Sequence, residues 1–180
     1  MEWLWYFLLY SLLGFFLEAA YAVWRGKDPD RKCLLLLPLC PVYGLGACVV
    51  LLLPEAVQRA PFLLAALGGA AATGVEYVTA VFYERILRVS FWDYTGFPGS
   101  LRGRICIPFS CAWSLLLLPM VYWVHPAAVR LASLIPLPVS WAALAALLAD
   151  LIVSAVILRY TRDVGSLRWY RQLPSLGFEK

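Results

Sequence analysis

Three carboxylates stand inside long apolar runs of this 180-residue chain: Glu18 in "FFLEAAY", Glu76 in "GVEYVTA" and Asp150 in "LLADLIV". Even on a lenient insertion scale an Asp at the centre of a membrane-spanning helix costs about 2.5–3.5 kcal/mol, so such residues persist where they pair, bind or move something. On helical spacing Glu18 shares a face with Ser11, Gly14 and Tyr21, Glu76 with Gly69, Ala72, Thr79 and Tyr83, and Asp150 with Ala143, Ala146 and Ser154. Each acid thus lies on the small, polar stripe of its own segment, and all three stripes are expected to face a bundle interior. At about 1.5 Å of rise per residue from the basic ends, Glu18 lies roughly 9 Å deep, Glu76 and Asp150 roughly 15 Å, and Cys40 with Tyr43 between about 10 and 15 Å. Glu84 falls near the boundary. Two acids at similar depth repel if both are ionised and unpaired, so they titrate jointly, hold a cation or grip a basic group. The expectation is a carboxylate-lined cavity in one half of the membrane. The same residues also admit a structural reading as interhelical glue, through bonds to arginines and tyrosine hydroxyls.

The elements that must position these groups follow from composition. The chain is 63% apolar and 14% charged, with mean hydropathy +0.77, whereas soluble domains carry about a quarter charged residues. This predicts an all-α, polytopic membrane bundle in one domain. Five runs approach the roughly 20 residues that cross a bilayer: 3–24, 33–53, 62–87, 105–124 and 139–160. The first is expected to be a retained helix, because it begins at Glu2 instead of a basic stretch and has no cleavage pattern. Basic residues cluster in the first loop, in the end of the third run with its loop 88–104, and in the end of the last run with the tail 161–180. Together these hold 13 of the 15 Lys and Arg. Five crossings with an outside N-terminus and a cytoplasmic C-terminus put all of them on the cytoplasmic side. The formal charge of +4 then faces anionic lipid, and no nucleic-acid partner is implied.

The second run is unusual, since "LLPLCPVYGLG" places Pro38, Pro41, Gly44 and Gly46 within the span. Each proline removes a backbone donor, so this helix is expected to be broken, either as a packed kink or as backbone offered to a substrate. The stretch 125–138 is expected to form a short interfacial helix ending at Pro136. The five cysteines show neither CxxC nor zinc spacing, and the one histidine lies at the opposite face; they are read as reduced, packed thiols, with no metal site and no cofactor. That reading disfavours a quinone-linked disulfide enzyme. No GxxxxGK[ST], HExxH, GxSxG or GxGxxG occurs. If ATP drives this protein, another subunit hydrolyses it.

Between the third and fourth runs stands "FWDYTGFPGSLRGRI". Its glycines permit tight turns and Pro98 stiffens one of them, while Trp92 and Tyr94 suit the headgroup layer. The loop of Trp92, Asp93, Tyr94 and Arg104 is read as a floor, gate or docking element below the cavity, with an interfacial anchor as the plainer alternative.

"YSLLGFFLE" (10–18), "PLCPVYGLGA" (38–47), the pair Glu76 and Glu84 in "EYVTAVFYE", and "WDYTGFPGSLRGRICI" (92–107) together resemble the bacterial family called putative ABC-transporter type IV, or CmpB-like membrane proteins. The resemblance implies a small multi-pass protein of the bacterial cytoplasmic membrane, classed as a permease. It carries over Glu18, Glu76, Glu84, Asp93 and Arg104. The chain departs from the family at Ser100, where relatives carry Asn, and at "DRKCLLLL", where leucine replaces a small residue near Leu37.

Three functional classes follow. The leading one is a permease component that moves a small solute or ion, with Glu18, Glu76, Glu84, Tyr43, Cys40 and Asp150 around the cargo or a coupling ion. It would associate as a homo-oligomer through Gly68, Gly69 and Ala72 or through the last helix, and with a separate ATPase subunit. The others are an intramembrane enzyme on a lipid or prenyl substrate, with Arg104 holding a phosphate, and a non-catalytic scaffold.

Overall fold

The computed structural model describes residues 1–26 and 33–167, so expectations for the basic residues at 27–32 and for the tail from 168 onward lie outside the described residues. The described chain is helical, without strands. Helix α1 runs Glu2–Trp24, α2 Pro41–Leu51, α3 is the short turn Glu55–Arg59, α4 runs Pro61–Leu87, α5 Ile107–Ser133 and α6 Leu137–Thr161. Four of them, α1, α4, α5 and α6, are long and apolar enough to cross a membrane. Proline sits in the first turn of α2, α4, α5 and α6, where its missing N–H has no helical partner to lose. Arg88 and Arg162 end α4 and α6 in the left-handed conformation, with φ of 59° and 53°.

Two expectations about the elements are corrected. Residues 125–133 are no separate interfacial helix: α5 continues through them as one 27-residue helix. Pro119 and Pro126 are tolerated there because the intervening turn, Met120–Val124, widens to π geometry. The second run is broken as expected, but it is helical only from Pro41 and not from 33, since residues 33–40 are non-helical, with bends at 34–38. This non-helical stretch leads into α2, which packs along α1. The Cys40 N–H donates to the Ser11 carbonyl at 2.9 Å.

The cysteine reading is corrected as well. Cys33 and Cys40 form a disulfide, with Cα atoms 5.2 Å apart, while Cys48, Cys106 and Cys111 are free. Seven residues of regular helix would separate these Cα atoms by about 10.5 Å. Only the unwound course of 33–40 brings them within bridging distance.

Small residues set how closely the helices approach. A Cβ at Gly14 would fall inside the Tyr43 ring, one at Gly44 would meet Ser11 and the Phe7 carbonyl, and one at Gly69 would meet Ser114. These contacts press α1 on α2 and α4 on α5, as small residues do where lipid supplies no hydrophobic drive between helices. Helix α6 lies at the edge. Its Leu158 joins Leu35, Leu39, Tyr83 and Leu167 in a buried cluster, while Leu148, Leu151, Ile152, Val153 and Val156 face outward.

Candidate functional site

Glu18 and Glu76 line one cavity of about 210 Å³, together with Tyr43, Tyr94, Trp92, Trp113 and the disulfide of Cys33 and Cys40. The path from one acid to the other is continuous. The Tyr43 hydroxyl donates to Glu18 Oε1 at 2.9 Å, and it reaches across α1 because Gly14 leaves room for its ring. The Tyr43 ring packs against the Trp113 ring at 4.7 Å between centroids. Trp113 Nε1 in turn donates to Glu76 Oε2 at 2.9 Å, and the Tyr94 hydroxyl donates to Glu76 Oε1 at 2.9 Å. Glu76 is 4% exposed.

The loop enters the site from one end. Tyr94 is buried and stacks on Phe109 at 4.7 Å and 20° between planes. Its depth differs from the headgroup placement its type suggests, because its hydroxyl finds a carboxylate partner inside the bundle. Trp92 lines the same cavity and donates through Nε1 to the Arg104 carbonyl at 2.9 Å. The loop is closed on itself by the Tyr94 N–H to the Gly103 carbonyl at 2.8 Å, and by Leu101 and Ile105 bridging. Gly103 has φ of 71°, and a Cβ there would strike Asp93 Oδ1. A residue larger than glycine is excluded on both counts.

Four candidates stand apart from the cavity or act within the loop. Asp150 does not line it. Its two oxygens accept the Leu36 and Leu37 backbone N–H groups at 2.9 Å each, and Oδ1 also accepts the Ser154 hydroxyl at 2.9 Å. Asp150 therefore caps the backbone that the break at Pro38 and Pro41 leaves without helical partners, as a chain in hydrocarbon requires. Glu84 is held by Arg104, whose Nη2 lies 2.6 Å from Oε2, with further bonds from Nε at 3.0 and 3.2 Å. Arg104 Nη1 also donates to the Tyr77 hydroxyl at 3.1 Å. Glu84 first and Tyr77 after it keep the Arg104 guanidinium protonated above its ordinary value. Asp93 is exposed. It accepts the Thr95 hydroxyl and the Thr95 N–H, which hold its carboxyl below the ordinary 3.8. Cys40 lines the cavity as half of the disulfide, not as a free thiol.

Sequence reasoning passed over Trp113, Phe109 and Cys33 as lining residues, while Tyr83, placed on the face of Glu76, lines the cavity with them. A signal existed for Trp113: a buried acid needs donors, and the indole N–H is one of few in the fourth apolar run. Among the described residues no group of His, Cys, Asp and Glu is arranged to hold a metal ion.

Neither a curated protein nor a solved structure matches the chain. A family model described as "Putative ABC-transporter type IV" matches residues 5–158. That span takes in α1, α2, α4, α5, most of α6, the Trp92–Arg104 loop and every residue of the cavity, and on it the chain belongs to this family of ABC-transporter-related membrane proteins.

Proposed function

We propose that this protein is the membrane-embedded component of a transporter, and that it takes its cargo into the cavity between Glu18 and Glu76. The observation that carries the reading is the joining of two carboxylates, from α1 and α4, across one cavity through Tyr43, Trp113 and Tyr94. Structural glue would be satisfied by one partner per acid in a closed interface, whereas a lined space beside them gives a ligand somewhere to sit. Membership of an ABC-transporter-related family supports the same reading.

In this account segment 33–53 crosses the bilayer in two pieces, the non-helical residues 33–40 and then α2, making five crossings with the loop 88–104 in the cytoplasm. The cavity then belongs to the cytoplasmic half of a bacterial inner membrane. The compact loop, with Tyr94 reaching Glu76, acts as its gate and as the surface that meets an ATPase subunit, since this chain has no nucleotide-binding motif of its own. The chain works as an oligomer, because five helices are few for an alternating-access machine. The enzyme reading needs Arg104 to hold a phosphate, and the engagement of Arg104 with Glu84 and Tyr77 disfavours it.

The test compares small-molecule and lipid pools in cells lacking the gene with pools in cells restored by wild type or by Glu76→Gln at matched abundance in the membrane. Wild type restores the pools and Glu76→Gln does not. Equal restoration by both overturns the proposal.

A further inference from the structure

The disulfide of Cys33 with Cys40 is unusual for its place. With the cavity in the cytoplasmic half of the membrane, as proposed, a bond that lines it stands on the reducing side. Thiols are kept reduced there, and the disulfides that do form are mostly transient, catalytic or redox-sensing. The segment does not depend on the bond as a staple. The ring it closes spans a sequence separation of only 7, and a short ring gains least from a cross-link. The middle of that ring is anchored in other ways. Asp150 accepts the Leu36 and Leu37 N–H groups at 2.9 Å each, and Leu34, Leu35 and Leu39 are buried in one cluster with Tyr83 and Leu158.

What the bond holds is the two ends of the segment, and both ends are cavity wall. Cys33 and Cys40 line the cavity, and with Val42 they form a small buried cluster against which Phe15, Tyr43 and Trp92 pack. Tyr43 is the residue that donates to Glu18, and Trp92 belongs to the loop that enters the site. At 9% and 6% exposure the two residues are closed to the approach of a protein reductant, whereas a small molecule that enters the cavity meets both.

Resting on the cytoplasmic placement of the cavity, we propose that Cys33 and Cys40 form a reversible thiol–disulfide exchange site for a low-molecular-weight thiol, and that the state of the pair sets the cavity wall. In reduction a thiolate attacks one sulfur of the pair, the S–S bond breaks, and the other sulfur leaves as a thiolate and takes a proton. A second thiol then attacks the mixed disulfide. Two small thiols become one small disulfide, and the pair gains two electrons and two protons as two Cys thiols. The small disulfide reverses both steps. In the oxidised pair the ends of 33–40 are locked together beside Tyr43 and Trp92; in the reduced pair they separate while Asp150 keeps the middle in place.

The test uses the full chain in phosphatidylcholine nanodiscs, equilibrated with reduced or oxidised glutathione, then unfolded in detergent and tagged with a polyethylene-glycol maleimide that counts free thiols on a gel. Structural disulfides resist glutathione, so this couple separates the two roles. Oxidised glutathione leaves three tags, on Cys48, Cys106 and Cys111; reduced glutathione gives five, and the count returns to three when the couple is reversed. The double variant Cys33→Ser, Cys40→Ser carries the other three thiols as reference. Hydrogen exchange at the Cys40 amide, which donates to the Ser11 carbonyl, accelerates on reduction, whereas the Leu36 and Leu37 amides keep their protection. In growing cells trapped in acid the count is five, falls to three under the thiol oxidant diamide, and recovers when diamide is withdrawn. Three tags under every condition make the bond a permanent staple, five under every condition deny the bond, and a Cys40 amide indifferent to the couple denies the link to the wall; each result overturns the proposal. The exposed Ser90, as Ser90→Cys, reads the placement separately. Labelling by an impermeant maleimide in intact cells puts the loop outside and fells the placement and the exchange site together, whereas labelling only after permeabilisation, with the pair permanently oxidised, leaves the placement standing and fells the exchange site alone. The effect of Glu76→Gln on cellular pools does not enter the thiol count, so the cargo reading stands or falls apart from both.

Discussion

Asp150 offers the sharpest separation of a structural acid from a ligand-binding one. Its oxygens accept two backbone N–H groups, from Leu36 and Leu37, and one hydroxyl, from Ser154. Asp150→Ala orphans both N–H groups in a segment with no helical partners to offer them. A hydrogen bond to a charged group contributes about 1.5–3 kcal/mol in water-soluble proteins, whereas polar contacts in membrane proteins average nearer 0.6 kcal/mol. Two bonds then bracket the loss between about 1 and 6 kcal/mol, and the fixed geometry at 2.9 Å on both oxygens favours about 3 kcal/mol. Asp150→Asn keeps one acceptor oxygen and loses about half of that. The assay is reversible unfolding of the purified chain in mixed micelles, with cellular pools measured for the same variants. Asp150→Ala unfolds first, Asp150→Asn falls between it and wild type, and whatever protein reaches the membrane restores pools at wild-type level per molecule. A stability change below about 0.5 kcal/mol, the level expected of an uninvolved surface site, together with lost function, refutes the reasoning and returns Asp150 to the binding site.

Other outcomes follow from the same contacts. Gly14→Ala pushes the Tyr43 ring off Glu18, at a cost of about 1–3 kcal/mol for overpacking, and near-ultraviolet dichroism reports the loss of the fixed tyrosine and tryptophan environment. Arg104→Lys fails to rescue Arg104→Ala, because one ammonium cannot span the fork on Glu84 and the Tyr77 hydroxyl together. Protease cleavage within 88–104 rises in both variants. Asp93 carries a depressed pKa, so its support for the loop is complete above the ordinary value of 3.8 and is lost as the pH falls through the lower, folded value. Hydrogen exchange at the Thr95 amide accelerates on that acid limb in wild type, and is fast and independent of pH-linked protonation in Asp93→Ala.

Much of the architecture is written in the apolar runs. The expected spans 62–87 and 139–160 meet α4 and α6 within two residues at each end, because Pro61 and Pro138 mark the starts and basic residues the ends. The small, polar stripes around Glu18 and Glu76 also point to where those acids lie, since placing a carboxylate against lipid costs more than any packing returns. What was not legible depends on the break in the second run. Pro38 and Pro41 announce it, but they do not say that all of 33–40 unwinds, and the disulfide of Cys33 with Cys40 and the capping role of Asp150 both depend on that extent. Helical spacing put Asp150 with the other acids by its depth and by the small, polar face it shares with Ala143, Ala146 and Ser154. Neither depth nor an inward face distinguishes an acid that faces a cavity from one that faces exposed backbone amides. Trp113 was overlooked for a related reason: in an apolar run an indole reads as bulk, and its N–H gains meaning only when an acid on a neighbouring helix is known to face it.

The central claim is that Glu18 and Glu76 serve one site. The most direct measurement is a double-mutant cycle on restored cellular pools, with Glu18→Gln, Glu76→Gln and the pair expressed at equal abundance. Residues that act on one ligand through one chain of hydrogen bonds and packed rings couple strongly, so each single substitution should cost nearly as much as the double. Losses that simply multiply, or a single substitution that leaves the pools at wild-type level, contradict the account.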